Sequence, residues 1–232
     1  MIFTTLNFNP FYYEQLKVML TSLSINSPSD SAVIDLVDFP NDEVIELQSK
    51  FPRYKFTQSI LPKDTRDTKG YMVCKRGHVI NQAVLHHKKI AWFDTDLIIR
   101  KPLDKLWKSL AFDSLNILTR NENPPRTKFQ AGVFFLHVGP QIISFIQDWS
   151  SFISNHFGWY VDQEHLYKIS EQKKINRINL NKTYNDVGCS KNPCFLNESH
   201  IWHSKQAHFQ NPKFQKEYQN YLNIYNERNS IH

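Results

Sequence analysis

The sequence predicts an α/β fold with a mostly parallel central sheet flanked by helices, and three observations carry that expectation. Strand and helix patterns alternate through the first hundred residues, which is the order of a parallel sheet built from crossovers. The strands among them are short continuous apolar runs, such as Val33-Ile34 with Leu36-Val37, typical of strands buried on both faces. Finally, 41% of the 232 residues are apolar and 14% aromatic, enough to fill an interior between two helical layers. With only 6 glycines and 11 prolines, composition excludes a low-complexity or disordered chain.

The elements follow in order. Ile2 to Leu6 reads as a first strand and Phe11 to Leu23 as an amphipathic helix; Ala32 to Val37 is a second strand, and Asp42 to Lys50 a second helix. Tyr54 to Leu61 is a third strand candidate. Lys69 to His87 carries helical spacing through Met72, Val79, Ala83 and Val84, and Lys89 to Phe93 enters as another buried strand. Beyond Asp96 the pattern changes. Leu97 to Ile99 stays extended until Pro102, which lacks an N–H, breaks the run; Leu103 to Leu110 is then a short helix. Leu115 to Thr119 is a strand candidate, and Asn121 to Lys128, with Pro124-Pro125, a polar loop. Ala131 to His137 is a strongly apolar strand, followed by Gly139-Pro140 and a helix from Gln141 to near Asn155. A helix from Asp162 to Ile169, a strand from Asn176 to Leu180 and a last helix from Pro212 to Tyr225 complete the chain. Neither repeat nor linker interrupts it, so one domain spanning 1–232 is expected, with halves at about 1–100 and 101–232.

Charge and cysteines narrow the functional classes. The formal net charge is +6, which suits anionic partners, but lysines and arginines are scattered and often sit beside acids. No arginine-rich arm marks a nucleic-acid footprint. Three cysteines, Cys74, Cys189 and Cys194, make no disulfide framework and read as free thiols of a cytoplasmic protein. The opening residues read as a strand rather than a signal peptide, and no apolar run reaches the roughly 18 residues of a membrane span. Membrane contact is expected to be peripheral at most.

The chemistry is concentrated in Ala91-Trp92-Phe93-Asp94-Thr95-Asp96. Two carboxylates one residue apart stand at the C-terminal end of an apolar strand, where open α/β sheets bind ligands. On one face, such charges repel unless a cation sits between them, and a hard cation such as Mn²⁺ or Mg²⁺ also bridges phosphates. Asp-x-Asp alone is common and can open a surface turn; its place between a buried strand and Leu97-Ile98-Ile99 favours a site.

The stretch from Lys89 to Leu103 resembles the Asp-x-Asp segment of GT-A glycosyltransferases, in particular the glycogenin-like nucleotide-diphospho-sugar transferases. The resemblance continues at Phe129 to Leu136, Asp162-Gln163, Leu180 to Asn185 and Ile201 to Lys205, in the same order. It implies a Rossmann-like GT-A fold and a divalent cation bound by Asp94, Asp96 and His203, with Asp94 also contacting the ribose and Thr95 beside it. Arg76 corresponds to a basic residue directed at the donor, with Lys75 as the other possibility, and Lys205 would offset the diphosphate charge. Gln130 and Gly132 would line the pocket where sugar and acceptor meet, although Gln-Ala-Gly stands here where those enzymes carry Asn-Ser-Gly. Asp162 and Gln163 correspond to an acid–amide pair near the reacting carbon; Asp162 is equally suited to cap its helix. His200 rivals His203 as the ligand.

The implied activity is transfer of a hexosyl group from a nucleoside-diphosphate sugar, UDP-linked, to a hydroxyl of a glycan, glycolipid or protein-linked acceptor, with retention of configuration. Two other classes fit parts of the sequence: a haloacid-dehalogenase-like phosphohydrolase with Asp94 as nucleophile, and a non-catalytic sugar-nucleotide or glycan-binding module. The first usually places its motif near the N-terminus and carries Thr or Val where this chain has Ile98.

Overall fold

A computed structural model describes residues 1–120, 124–154, 156, 158, 160–187, 195–204 and 211–228. Three parallel strands, β1 (Ile2–Asn7), β2 (Ala32–Val37) and β3 (Lys55–Ser59), are separated by α1 (Pro10–Asn26) and α2 (Asn41–Lys50). Asn9 starts α1 by accepting the Phe11 N–H, with Pro10 supplying a preset φ at the first helical position. Next come α3 (Thr68–His86), capped by Asp67, then β4 (Lys89–Phe93), the short β5 (Leu97–Ile99) and α4 (Asp104–Ser109). The second half runs β6 (Ser114–Thr119), α5 (Pro125–Lys128), β7 (Phe129–His137), α6 (Pro140–Ser154), α7 (Val161–Gln172), β8 (Asn176–Asn179), β9 (Ile201–His203) and α8 (Pro212–Glu227).

The main sheet has seven strands in the order β3-β2-β1-β4-β7-β6-β8. β7 pairs antiparallel with both β4 and β6, while β8 is parallel to β6, so six strands run one way and β7 opposes them. Period-two alternation assigns β4 to two cores. Ala91 and Phe93 pack with Leu16, Leu20 and Leu23 of α1 and Leu47 of α2. Ile90 and Trp92 pack with Ile80 of α3, Phe145 and Trp149 of α6 and Leu166 of α7. Helices therefore cover both faces, as the uninterrupted apolar runs require.

Two departures from the sequence expectation shape the site. Along β7, Phe129 and Ala131 face the α3–α6–α7 core, but so do Phe134 and Leu136, so the alternation slips between them. The β6–β7 register breaks at the same place, between Ile117 and Thr119. This irregularity shifts which face of the sheet the residues from Val133 onward present, as a bulge does. The second departure is β9, three residues too short to announce themselves, which pairs antiparallel with β5 in a separate two-stranded sheet. Within the expected polar loop 121–128, Pro125–Lys128 forms a helical turn, and 121–123 fall outside the described residues. Cys74 is a buried free thiol donating to the Ile153 carbonyl; Cys189 and Cys194 lie outside the described residues. Among the described residues no helix is long and apolar enough to cross a membrane.

Candidate metal and ligand site

The Asp94–Asp96 turn follows the carboxyl end of β4 and is pinned from both sides. The Asp94 N–H donates to the Gly132 carbonyl of β7 at 2.8 Å, and the Asp96 carbonyl accepts from the Ser204 N–H at 2.9 Å. The β5–β9 register sets Leu97 opposite His203, which carries a histidine from far down the chain to the residue after Asp96. His203 Nε2 lies 3.2 Å from Asp96 Oδ1. One ligand atom from each of Asp94, Asp96 and His203 falls within a 4.8 Å group; both aspartates are half-buried and the histidine buried. Two carboxylate oxygens and one imidazole nitrogen make a donor set that could hold a divalent cation.

Asp94 and His203 are each oriented by neighbours outside the group. Asp94 Oδ1 accepts from Trp92 Nε1 and from Arg76 Nη2, both at 2.8 Å. That leaves Oδ2 turned toward Gly132, where an added Cβ would stand 2.6 Å from it and run into the His203 ring. The space a cation needs is thus the space a side chain at 132 would fill. On its other edge, His203 Nδ1 is 2.9 Å from Asn185 Oδ1.

Arg76, on α3, is a half-buried bridge. Its Nη1 lies 2.8 Å from Asp162 Oδ2 as its Nη2 holds Asp94, and its guanidinium rests 4.9 Å from the Trp92 ring. Burial works against its charge, but Asp94, Asp162 and Asp96 more than offset this and raise its pKa. Burial likewise raises the Asp162 carboxyl, against the pull of Arg76. Three carboxylates here meet one guanidinium, so the pocket keeps an excess of negative charge that a divalent cation would neutralise.

The structure brings most of the sequence-derived candidates together. Asp94, Asp96, His203, Gly132, Arg76 and Asp162 form one connected constellation. Thr95 sits half-buried in the turn between the aspartates. Gln163 spends its carboxamide on backbone: Oε1 accepts from the Ala131 N–H at 3.3 Å and Nε2 donates to the Arg126 carbonyl at 2.7 Å, bracing the irregular start of β7. Gln130 is buried, and its Oε1 has no hydrogen-bond partner among the described residues. Lys205 lies outside the described residues. Of the rival candidates, Lys75 pairs instead with Asp35 at 3.3 Å and Ser59 at 3.0 Å. His200 Nδ1 sits 2.8 Å from the Pro102 carbonyl, its ring stacked on Tyr184, outside the three-ligand group. Asn185, which sequence reasoning gave no role, contacts His203 directly; its place at the end of the Leu180 to Asn185 segment was the only signal for it.

The seven-stranded sheet with helices on both faces has the GT-A fold of the solved structures on which it superposes. No family model matches the chain, and no characterised protein matches it in sequence. Solved structures match in shape. The galactosyltransferase LgtC, in complex with donor and acceptor sugar analogues, superposes with a TM-score of 0.64 at 13% identity, covering 94% of this chain and 95% of that one. The glycosyltransferase GlyE of Streptococcus pneumoniae TIGR4 gives 0.65 at 15% identity, over 98% of this chain and 63% of its own. Mouse xyloside xylosyltransferase 1 gives 0.56 at 14% identity, over 88% and 97%. The chain spans 51% of the bifunctional glycosyltransferase WbbM, at a TM-score of 0.62 and 12% identity.

Proposed function

We propose that this chain is a metal-dependent glycosyltransferase that moves a hexosyl group from a UDP-linked sugar to an acceptor hydroxyl, with retention of configuration. The observation that carries the reading is the Asp94–Asp96–His203 group, gathered where the parallel strands end, with Gly132 leaving the adjoining space open. The solved structures named above are glycosyltransferases, one with donor and acceptor analogues, which supports the choice of reaction.

In this reading Asp94, Asp96 and His203 hold Mn²⁺ in preference to Mg²⁺, because an imidazole nitrogen suits the former and Mg²⁺ takes oxygen ligands. The cation, when bound, supplies positive charge against the diphosphate that leaves with the electron pair of the glycosidic bond. Trp92 and Arg76 keep Asp94 Oδ1 occupied, so that Oδ2 faces the ligand. Arg76 adds fixed positive charge beside the donor at no reorganisation cost, because Asp162 already holds it. Gln130 and Gly132 line the junction between donor and acceptor, with Gln163 keeping that strand segment in place. Lys205 is assigned to the diphosphate, and the acceptor is a glycan, glycolipid or protein-linked hydroxyl.

Asp96→Ala tests the reading. Wild type should bind UDP more tightly with Mn²⁺ than without it in calorimetric titration, and the variant should lose that difference while keeping its far-UV circular dichroism. Equal UDP affinity of the two proteins in Mn²⁺ would remove the site. With donor sugars, slow UDP release supports transfer chemistry, whereas release of inorganic phosphate would support the phosphohydrolase.

A further inference from the structure

We propose that Asn185 is a positioning residue that fixes His203 in the tautomer able to bind a cation. The inference rests on the metal reading of the Asp94–Asp96–His203 group.

The Asn185 side chain is completely buried, so each of its polar atoms needs a protein partner. Its Nδ2 donates to the Gln130 backbone carbonyl at 3.1 Å, an oxygen that can only accept. That bond decides the orientation of the carboxamide. Oδ1 is therefore the atom turned to His203 Nδ1, 2.9 Å away. A carbonyl oxygen also only accepts, so Nδ1 must carry a hydrogen. In a neutral imidazole the lone pair then falls on Nε2, the nitrogen that faces Asp96 Oδ1. His203 is 2% exposed, and its two ring nitrogens face Asn185 and Asp96. Without Asn185, the hydrogen bond left to the ring is Nε2–H donated to Asp96, which places the hydrogen on the nitrogen a cation requires. The same carboxamide also joins β7, two residues before Gly132, to the histidine, coupling the open space of the site to the orientation of its ligand.

The test uses the full chain labelled with ¹⁵N-histidine, as wild type, Asn185→Leu and Asn185→Asp. Long-range ¹H–¹⁵N spectra of the metal-free proteins read which ring nitrogen of His203 bears hydrogen, and the electron paramagnetic resonance signal of free Mn²⁺ reads affinity. Wild type should show hydrogen on Nδ1. Asn185→Leu should move it to Nε2 and weaken Mn²⁺ binding about 10- to 100-fold, the usual effect of losing an outer-shell partner. Asn185→Asp still accepts from Nδ1–H and should keep that hydrogen in place, with Mn²⁺ affinity within a few-fold of wild type. A wild-type Nδ1 without hydrogen overturns the inference whatever the variants do. So does a leucine variant that binds Mn²⁺ as wild type does, or an aspartate variant as impaired as the leucine one. If wild type binds Mn²⁺ and Asn185→Leu binds it equally, only the role of Asn185 falls; if wild type binds none, the metal reading falls and takes this role with it.

Discussion

Replacing Gly132 by alanine adds one methyl group at the centre of the candidate site. Its φ lies outside the left-handed region, so alanine strains no backbone there and the effect is purely one of space. The new Cβ would stand 2.6 Å from Asp94 Oδ2 and collide with the His203 ring, where ordinary contact begins at about 3.5 Å. Carboxylate and ring must therefore retreat by about 1 Å, while cation sites tolerate ligand displacements of about 0.2 Å. Neither moves freely: Arg76 and Trp92 hold the carboxylate, and Asn185 holds the ring. Overpacking of this kind costs about 1–3 kcal/mol of stability, a fall in Tm of roughly 2–12 °C for a chain of this size. Mn²⁺ affinity should fall about 100-fold or more, at or beyond what loss of an outer-shell partner costs. Titration of free Mn²⁺ by electron paramagnetic resonance, alongside a thermal melt, reads both quantities. Unchanged Mn²⁺ affinity in Gly132→Ala would refute the reasoning, because the methyl group and the cation could not then share this space.

Arg76→Ala should cost about 3–5 kcal/mol in urea unfolding, since it leaves Asp94 and the buried Asp162 carboxylate without their cation; a loss below about 1 kcal/mol would show that the bridge does not support the site. The Glu46 carboxyl gives a pH-dependent test away from the site. Burial opposes its charge, but Lys50 at 2.9 Å, with Tyr225, Tyr13 and Lys17, holds its pKa at about 2. Its folded value is below its unfolded value, so its contribution is complete above about pH 5 and disappears as pH falls toward 2. After allowance for solvent screening, Glu46→Gln should lose about 1–2 kcal/mol at pH 7, and the gap to wild type should close at acid pH. A gap that stays constant with pH would contradict this.

The two candidate aspartates were legible in sequence because their information is local. A buried strand declares itself by composition, and the end of a strand in an open α/β sheet is where ligands gather, so Asp94 and Asp96 needed only their own neighbours. The helices α1 and α3 and the alternating order of the first four strands were legible for the same reason, although their caps, Asn9 and Asp67, were not. His203 and Arg76 were reached through resemblance, since nothing in their own surroundings distinguishes them from packed or solvated residues. Asn185 entered only as the last residue of the Leu180 to Asn185 segment, with no role of its own.

The sequence by itself determined which segments are buried, in what order they alternate, and which carboxylates stand at a strand's mouth; these follow from periodicity and the cost of burying unpaired polar groups. Tertiary structure alone decided which oxygen of Asp94 stays free, which nitrogen of His203 faces Asp96, and that Gly132 must lack a side chain. Those properties arise where β4, β7 and β9 meet, between residues far apart in the chain. Sequence spacing carries no record of such meetings, because strand register and the slip in β7 are settled only when the whole sheet packs.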